Sequence, residues 1–282
     1  MQGTLYLCAT PIGNLEDITL RVLRVLREAD LIAAEDTRNS IKLLNHFDIH
    51  TPMTSYHEYN RIEKAKELIV CLQEGMDIAL ITDAGTPGIS DPGEDLVRMC
   101  YEAGIPVTSL PGACACITAL TMSGLETRRF AFEAFLPGDK RERQAVLEEM
   151  ARETRTMIVY EAPHRLLKTL EELRTALGDR FVTVCRELTK KYETAFATTM
   201  EKAIEHYKQH EPKGECVLVI QGKSRQAIRQ EEEKSWEQLT LREHMELYES
   251  QGMERKDAMK AVARDRGLGK RDIYRQLLEE EK

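Results

Sequence analysis

The chain has 282 residues, 42% apolar and 31% charged, with a formal net charge of −8. That composition excludes a disordered polymer and fits two or three packed domains, because a chain this long buries roughly 70–75% of its unfolded surface without disulfides or structural metals. The seven cysteines (8, 71, 100, 114, 116, 185 and 216) include no CxxC pair, no Lys or Arg precedes Arg21, and no apolar run reaches the roughly 18 residues of a membrane span, so a zinc ribbon, a secretory signal and a transmembrane protein are all disfavoured and a reducing, cytoplasmic compartment is expected.

From Thr4 to Leu110 short apolar runs alternate with amphipathic stretches, the pattern of an α/β layer structure with a largely parallel sheet. Strands are predicted at Leu5–Ala9, Leu31–Ala34, Met53–Tyr56, Ile78–Thr82 and Val107–Leu110, and helices at Arg21–Ala29 and Ile62–Leu72. An apolar helix of small residues, Ala113–Met122, follows Pro111-Gly112, and its lack of charge predicts burial on all sides. Beyond a polar joint near residue 123, strands are predicted at Phe130–Leu136, Thr156–Tyr160, Phe181–Cys185 and Cys216–Ile220, with helices at Arg141–Arg152, Leu166–Leu177 and Met200–Gln209. The expected organisation is an N-terminal α/β domain over 1–122, a second α/β domain over 123–222, a linker over 223–235 and a helical module over 236–282.

Charge is distributed unevenly along the chain. Residues 223–282 carry 14 basic and 14 acidic residues, so residues 1–222 hold the whole −8. Within the tail, Met253–Arg275 has 8 basic and 4 acidic residues around the turn Gly267-Leu268-Gly269. That spacing fits a helix-turn-helix, and Lys256, Lys260, Arg264, Lys270, Arg271 and Arg275 are its candidate phosphate contacts; a solvated helix pair explains the same charges.

Gly, Pro and Asp collect at the carboxyl ends of predicted strands, where open α/β sheets bind ligands. The first strand runs into Thr10-Pro11-Ile12-Gly13-Asn14, the fourth into the stretch Asp83–Gly93 and the fifth into Pro111-Gly112-Ala113-Cys114. Glycine N–H groups there suit an anion, and Asp83 or Asp91 suits ribose hydroxyls or an ammonium group. GxxxxGK[ST] is absent, the glycines at 85, 88 and 93 do not fit GxGxxG, and Ser90 lacks the Gly two residues on that a nucleophile elbow requires. The pairs His46/His50 and His206/His210 have no acidic or Cys partner at ligand spacing, so no metal site is expected.

Thr10–Asn14, Glu35-Asp36-Thr37-Arg38, Asp83–Gly93, Phe135-Leu136-Pro137, Tyr160-Glu161-Ala162-Pro163-His164-Arg165 and Arg186–Lys190 together resemble the ribosomal RNA small subunit methyltransferase I family of the tetrapyrrole-methylase superfamily, almost continuously over residues 4–222. The resemblance implies two α/β domains with a cofactor cleft between them. It further implies S-adenosylmethionine as cofactor, 2′-O-methylation of a cytidine ribose in small-subunit (16S) ribosomal RNA, and a homodimer. The chain departs from the pattern at Tyr59, where a second His is expected, at Cys114, where Ser is usual, and at Ala134, where Gly is usual.

The expected cofactor contacts are Pro11, Asp83, Ala84, Gly85, Thr86, Gly88, Ile89, Pro111, Gly112, Ala113, Cys114 and Tyr160. Methyl transfer from a sulfonium needs no metal, and alignment alone supplies about 7–11 kcal/mol of the barrier. A ribose hydroxyl is a poor nucleophile, so a proton acceptor worth about 10²–10⁴-fold is expected beside it. Glu35, Asp36, His57, Glu58, Glu161, His164, Glu187 and Lys190 are the candidates, with Asp36 first and Glu187 and His164 next. Each has a structural alternative: Glu35-Asp36 as a helix cap, His164-Arg165 as a helix start, Glu187/Lys190 as an ion pair. Arg38, Arg165, Arg186 and Lys190 suit phosphate contact better than proton transfer, because Arg stays charged, and Arg38, Arg165 and Lys190, with Lys270 and Arg271 in the tail, are the expected RNA contacts. A same-fold methylase acting on a tetrapyrrole or other small molecule, and a non-catalytic RNA-binding regulator, are the competing readings; the basic tail disfavours the first and the three cofactor-type loops the second.

Overall fold

The structure is a computed structural model that describes residues 2–228, 230 and 239–280, the last three by their backbone alone. It contains two compact units, Met1–Gly222 and Lys223–Lys282. Of the expected 223–235 linker, residues 223–228 and 230 are described, with helix at 225–228 where a linker was expected; the rest of it, and the start of the helical module at 236–238, lie outside the described residues.

In the first unit, β1 (Leu5–Cys8), β2 (Leu31–Ala34), β3 (Met53–Ser55), β4 (Ile78–Ile81) and β5 (Val107–Leu110) form a sheet in the order β3-β2-β4-β1-β5, with every pairing parallel. Central strands of such a sheet are covered on both faces and therefore read as continuous apolar runs. Leu5, Leu7, Ala33, Ile78 and Leu80 pack with α3 (Arg61–Gln73) and α4 (Gly93–Glu102), whereas the alternate residues Cys8, Ile32, Ala34, Ala79 and Ile81 pack with α1 (Leu20–Glu28) and α2 (Thr37–His46). Each fully buried Leu or Ile contributes about 1.5–3 kcal/mol. Two of these helices, α2 and α4, were absent from the predicted elements: their polar and Gly/Pro-flanked starts mask the apolar face.

The second sheet has the order β6-β7-β10-β8-β9, from β6 (Phe130–Phe135), β7 (Thr156–Glu161), β8 (Phe181–Arg186), β9 (Thr194–Thr199) and β10 (Cys216–Ile220). Only β6 and β7 run parallel; the remaining pairs are antiparallel. The sequence did not announce β9, an edge strand of Thr and Ala paired only with β8, which carries too few apolar residues to show a buried face. Met157, Val159, Val182, Val184, Leu218 and Ile220 face α6 (Lys140–Arg152), α7 (Leu166–Leu177) and α8 (Met200–Gln209).

The other face of this second sheet is covered by α5 (Ala115–Met122), whose Cys116, Ala119 and Leu120 pack with Ile158, Cys185, Val217 and Val219. Two expectations are corrected here. The helix packs on the sheet that follows it in sequence, although the predicted boundary near 123 assigned it to the first half. Nor is it buried all round, since Ile117 is 44% and Met122 39% exposed. Uncharged composition marks a helix that can be buried; which face is covered depends on the sheet that meets it.

Ala134 sits at a β-bulge in β6 with φ +51, a left-handed conformation that carries a cost of about 1–2 kcal/mol for an L-residue other than Gly. The departure from Gly at this position is therefore not conformationally neutral. Replacing Ala134 by Gly should stabilise the unit by about 1 kcal/mol and raise its Tm by roughly 2–4 °C in calorimetry.

In the second unit, α9 (Leu241–Ser250), α10 (Arg255–Asp265) and α11 (Lys270–Glu280) enclose Leu241, Met245, Ala258, Val262, Ile273 and Leu277. Thr240 and Glu243 form a capping box at the start of α9. Lys256, Lys270 and Arg271 are exposed, and Gly267, at φ +62, closes α10.

Candidate active site

A parallel sheet brings all of its strand carboxyl ends to one edge, and the register Leu7↔Leu80, Cys8↔Leu110 and Ala34↔Ile81 aligns the loops that leave β1, β2, β4 and β5. Direct bonds then tie these loops together. Thr10 and Gly85 exchange backbone hydrogen bonds of 2.8 and 3.1 Å, Thr86 Oγ1 donates to the Ala113 carbonyl at 3.0 Å, and the Asp83 N–H donates to Glu35 Oε2 at 3.3 Å. Gly85 adopts φ +87, open to glycine at little strain.

The second sheet supplies the opposite wall by the same logic. Because β10 is antiparallel to both β7 and β8, its first residue pairs with their last: Cys216 lies opposite Glu161 on one side and Arg186 on the other, while Phe135 pairs with Tyr160. Helix α5 bridges the two walls, its Cys116 N–H donating to Tyr160 Oη at 3.0 Å. Between them lies a cleft of about 410 Å³.

Of the residues expected to hold the cofactor, Asp83, Ala84, Gly85, Thr86, Ile89, Cys114 and Tyr160 line this cleft, as do Glu187 and Lys190. Ile12, Glu35, Asp91, Phe135, Glu161, Glu215 and Val217 line it too; of these, Glu35 and Glu161 are among the candidate proton acceptors, Asp91 suits ribose or ammonium contact by its sequence, and Ile12 and Phe135 fall within the motifs that carry the family resemblance. Glu215 could not have been found from its surroundings in sequence; pairing of β10 with β8 puts it there.

Several expectations change. The glycine N–H groups of the β4 loop are not free for an anion, because Asp91 accepts from Gly88 N at 2.9 Å, Ile89 N at 3.1 Å and Gly93 N at 2.8 Å, so this carboxylate organises the loop from within. Gly112 is required for a different reason from the one inferred: a Cβ there would stand 2.5 Å from Ala9 Cβ, against β1 and away from any ligand. Pro11, Gly88, Pro111 and Ala113 belong to the same loops but are not in the cleft wall. Gly112→Val should therefore destabilise the unit by about 1–3 kcal/mol in a denaturant titration even without ligand.

Asp36 caps α2 and grips Arg38 with both oxygens, at 3.0 and 2.8 Å, and these bonds pull its pKa down to about 2. Outside the cleft wall and so weakly basic, it makes a poor proton acceptor. Arg38 is 88% exposed at its side chain, and His164 is exposed on the short turn after β7, outside the cleft wall. Arg165 stands 3.6 Å from the buried Glu161 carboxylate. Lys270 and Arg271 belong to the second unit.

Glu187 differs from Asp36 in almost every respect. It lines the cleft, has φ +51, and its carboxylate lies over Gly214, where a Cβ would be 1.9 Å from Oε1. Lys190 Nζ donates to Oε1 at 3.0 Å, and the Lys190 stem crosses Gly13 of the β1 loop. Thr189, at φ +65, donates its N–H to Glu193 at 2.6 Å. Two left-handed residues in one four-residue turn are held by ion pair, hydrogen bond and glycine packing, the kind of enforced strain that collects at working sites.

Among the described residues, six acidic ones (Glu35, Asp83, Asp91, Glu161, Glu187 and Glu215) and one ammonium, Lys190, line the cleft; Asp91 is committed to the N–H groups of its own loop and Glu161 to Thr169 and the Ala162 N–H. Burial pushes the Glu35 carboxyl above its ordinary range, reinforced by neighbouring Asp83, Asp91 and Asp36. Field lines focused in a low-dielectric cleft of this sign favour a cationic ligand over a phosphate.

Residues 4–204 match the family model for Tetrapyrrole (Corrin/Porphyrin) Methylases. A ribosomal RNA small subunit methyltransferase I from Halalkalibacterium halodurans is 50% identical over 97% of this chain and 94% of its own length, and one from Synechocystis sp. is 49% identical over 98% of each. The chain belongs to this family of methylases. A further family member, from Thermotoga maritima, is 43% identical, and 78% of this chain covers 99% of it, so that relative has no counterpart of the remaining fifth. Among solved structures, uroporphyrin-III C-methyl transferase from Thermus thermophilus complexed with S-adenyl homocysteine is 20% identical with a TM-score of 0.56, covering 78% of this chain and 97% of that one. Diphthine synthase is 14% identical with a TM-score of 0.60, covering 78% of this chain and 90% of its own. These two share the methylase fold.

Proposed function

We propose that the chain transfers the methyl group of S-adenosylmethionine to the 2′-hydroxyl of a cytidine in small-subunit ribosomal RNA. The observation that carries this reading is the acidic cleft enclosed by the β1, β4 and β5 loops and the β7, β8 and β10 ends: it suits a ligand with sulfonium and ammonium charges. The names of the relatives supply the RNA class. The cofactor contributes an activated methyl group on sulfur. Asp83 and Glu35 suit the ribose hydroxyls and ammonium group, Gly85 leaves room for close approach, and Tyr160 and Phe135 offer ring surface. Glu187 accepts the proton of the attacking hydroxyl, and Lys190 fixes that carboxylate in place. Arg38 and Arg165 contact the RNA backbone, where a guanidinium can engage a phosphate bidentately. The reading extends to a homodimer in the cytoplasm, as the resemblance implies; sedimentation separates a dimer from the 32.3 kDa monomer.

The test is transfer of a tritiated methyl group from S-adenosylmethionine to purified small subunits lacking the modification, followed by nucleoside analysis. Label in 2′-O-methylcytidine supports the proposal, and label in any other product overturns it. Removing 223–282 should leave cofactor affinity unchanged, since the loops and walls of the cleft all lie within 1–222. RNA affinity should fall, with a shallower salt dependence, by about 0.7–0.9 in log–log slope for each phosphate that the shortened chain no longer neutralises. An unchanged slope in filter binding would make the second unit structural only.

A further inference from the structure

Cys114 and Cys116 are the two cysteines nearest in sequence, and their Sγ atoms are 3.4 Å apart. Inside a regular helix, residues two apart point to different faces and do not meet. Here they meet because Cys114 is the N-cap of α5, with extended φ −146 and ψ 112, which turns its side chain back over the first turn. Cys114 is half-buried and lines the cleft; Cys116 is buried against the second sheet; both are free thiols. We propose that Cys114 is an oxidation site in the cleft wall, converted by hydrogen peroxide to a sulfenic acid that Cys116 captures as a reversible disulfide.

The roles follow from position. Cys114 faces the cleft and can be reached by a small oxidant, whereas Cys116 is enclosed by Ala119, Leu120 and Val217 and can react only with its neighbour. A hydrogen bond from the Cys116 thiol stabilises the Cys114 thiolate, aided by N–H groups of the first turn, and so lowers the Cys114 pKa while raising that of Cys116. In the first step the Cys114 thiolate attacks peroxide: an S–O bond forms, the O–O bond breaks and hydroxide departs. In the second, Cys116 Sγ attacks the sulfenic sulfur. The S–S bond forms, the S–O bond breaks, and the hydroxyl leaves with the Cys116 proton as water. Two thiols lose two electrons in all, and one peroxide is reduced. A Ser at 114, usual in the family pattern, could not take part.

The experiment treats the full chain with hydrogen peroxide, blocks remaining thiols with N-ethylmaleimide under denaturing conditions and maps all seven cysteines by mass spectrometry. An intramolecular Cys114–Cys116 disulfide is expected, reversed by dithiothreitol and formed at least about tenfold faster than oxidation at Cys71, the other half-buried thiol. In Cys116→Ala the sulfenic acid should persist and be trapped at Cys114 by dimedone; in Cys114→Ser neither product should appear. Oxidation of Cys114 no faster than Cys71, or a disulfide that survives in Cys114→Ser, overturns the proposal. S-adenosylmethionine should slow the reaction by covering Cys114. This last arm alone rests on the cofactor assignment, so disulfide formation that the cofactor does not slow counts against the cofactor's placement and leaves the oxidation site standing.

Discussion

Glu187→Gln should lower kcat by about 10²–10⁴-fold while S-adenosylmethionine affinity, measured by calorimetry, stays within about twofold. Gln has the size of Glu and can still accept a hydrogen bond from Lys190 Nζ, so the turn over Gly214 should persist; what disappears is the basicity. Asp36→Asn is the matched control. Its carboxylate is committed to Arg38 and the start of α2, with a pKa of about 2, so removing its charge should leave the chemical step nearly intact. The two variants separate the carboxylate in the cleft from the one beside it. Near-normal single-turnover rates in Glu187→Gln would reject Glu187 as the proton acceptor and direct attention to Glu35, a cleft carboxylate just beyond β2 whose affinity for a proton burial already raises.

Arg143→Ala should destabilise the first unit by about 2 kcal/mol, a Tm drop of roughly 4–8 °C. Arg143 is nearly buried on α6 and donates to Glu172 Oε2 at 2.6 Å and to Thr169 Oγ1 at 2.9 Å; Thr169 in turn donates to Glu161 Oε2 at 2.6 Å. Glu161 also accepts from the Ala162 N–H at 2.8 Å. This chain of bonds anchors the end of β7, which carries Tyr160 and Glu161 into the cleft. Without the guanidinium, the buried Thr169 hydroxyl loses its charged donor in a site that water scarcely reaches, whereas Glu172, 30% exposed at its side chain and 3.8 Å from Lys168, keeps solvent and a second cation; the loss is that of charged hydrogen bonds and stem packing, not of a buried ion pair. Arg143→Lys keeps the charge but not the fork, so it should recover only part of the stability. A scanning-calorimetry shift below about 2 °C for Arg143→Ala would show that the network contributes little.

Local pattern determined most of the parallel sheet: β1, β2 and β4 are short apolar runs with Pro or Asp within three residues of their ends, β5 runs straight into Pro111-Gly112, and each such strand dictates where its loop emerges, whereas β3, Met-Thr-Ser, carries neither signal. Much of one cleft wall was legible for that reason: Asp83, Gly85, Thr86 and Cys114 come from loops at the carboxyl ends of such strands. The opposite wall is less local. Glu215 and Val217 reach the cleft only because β10 pairs antiparallel with β7 and β8, a choice made between segments far apart in sequence. Sequence also marks a residue type without saying what it serves. Asp91 was legible as an acid in a glycine-rich loop, but only the folded loop shows three N–H groups already on its carboxylate; Gly112 was legible as a glycine, but only the packing shows Ala9 behind it. The strands and their loops follow from propensity and hydrophobic burial, which act over a few residues. The sign of the cleft, the strain at Glu187 and the meeting of Cys114 with Cys116 depend on which surfaces are forced together, and that is decided by packing over the whole unit.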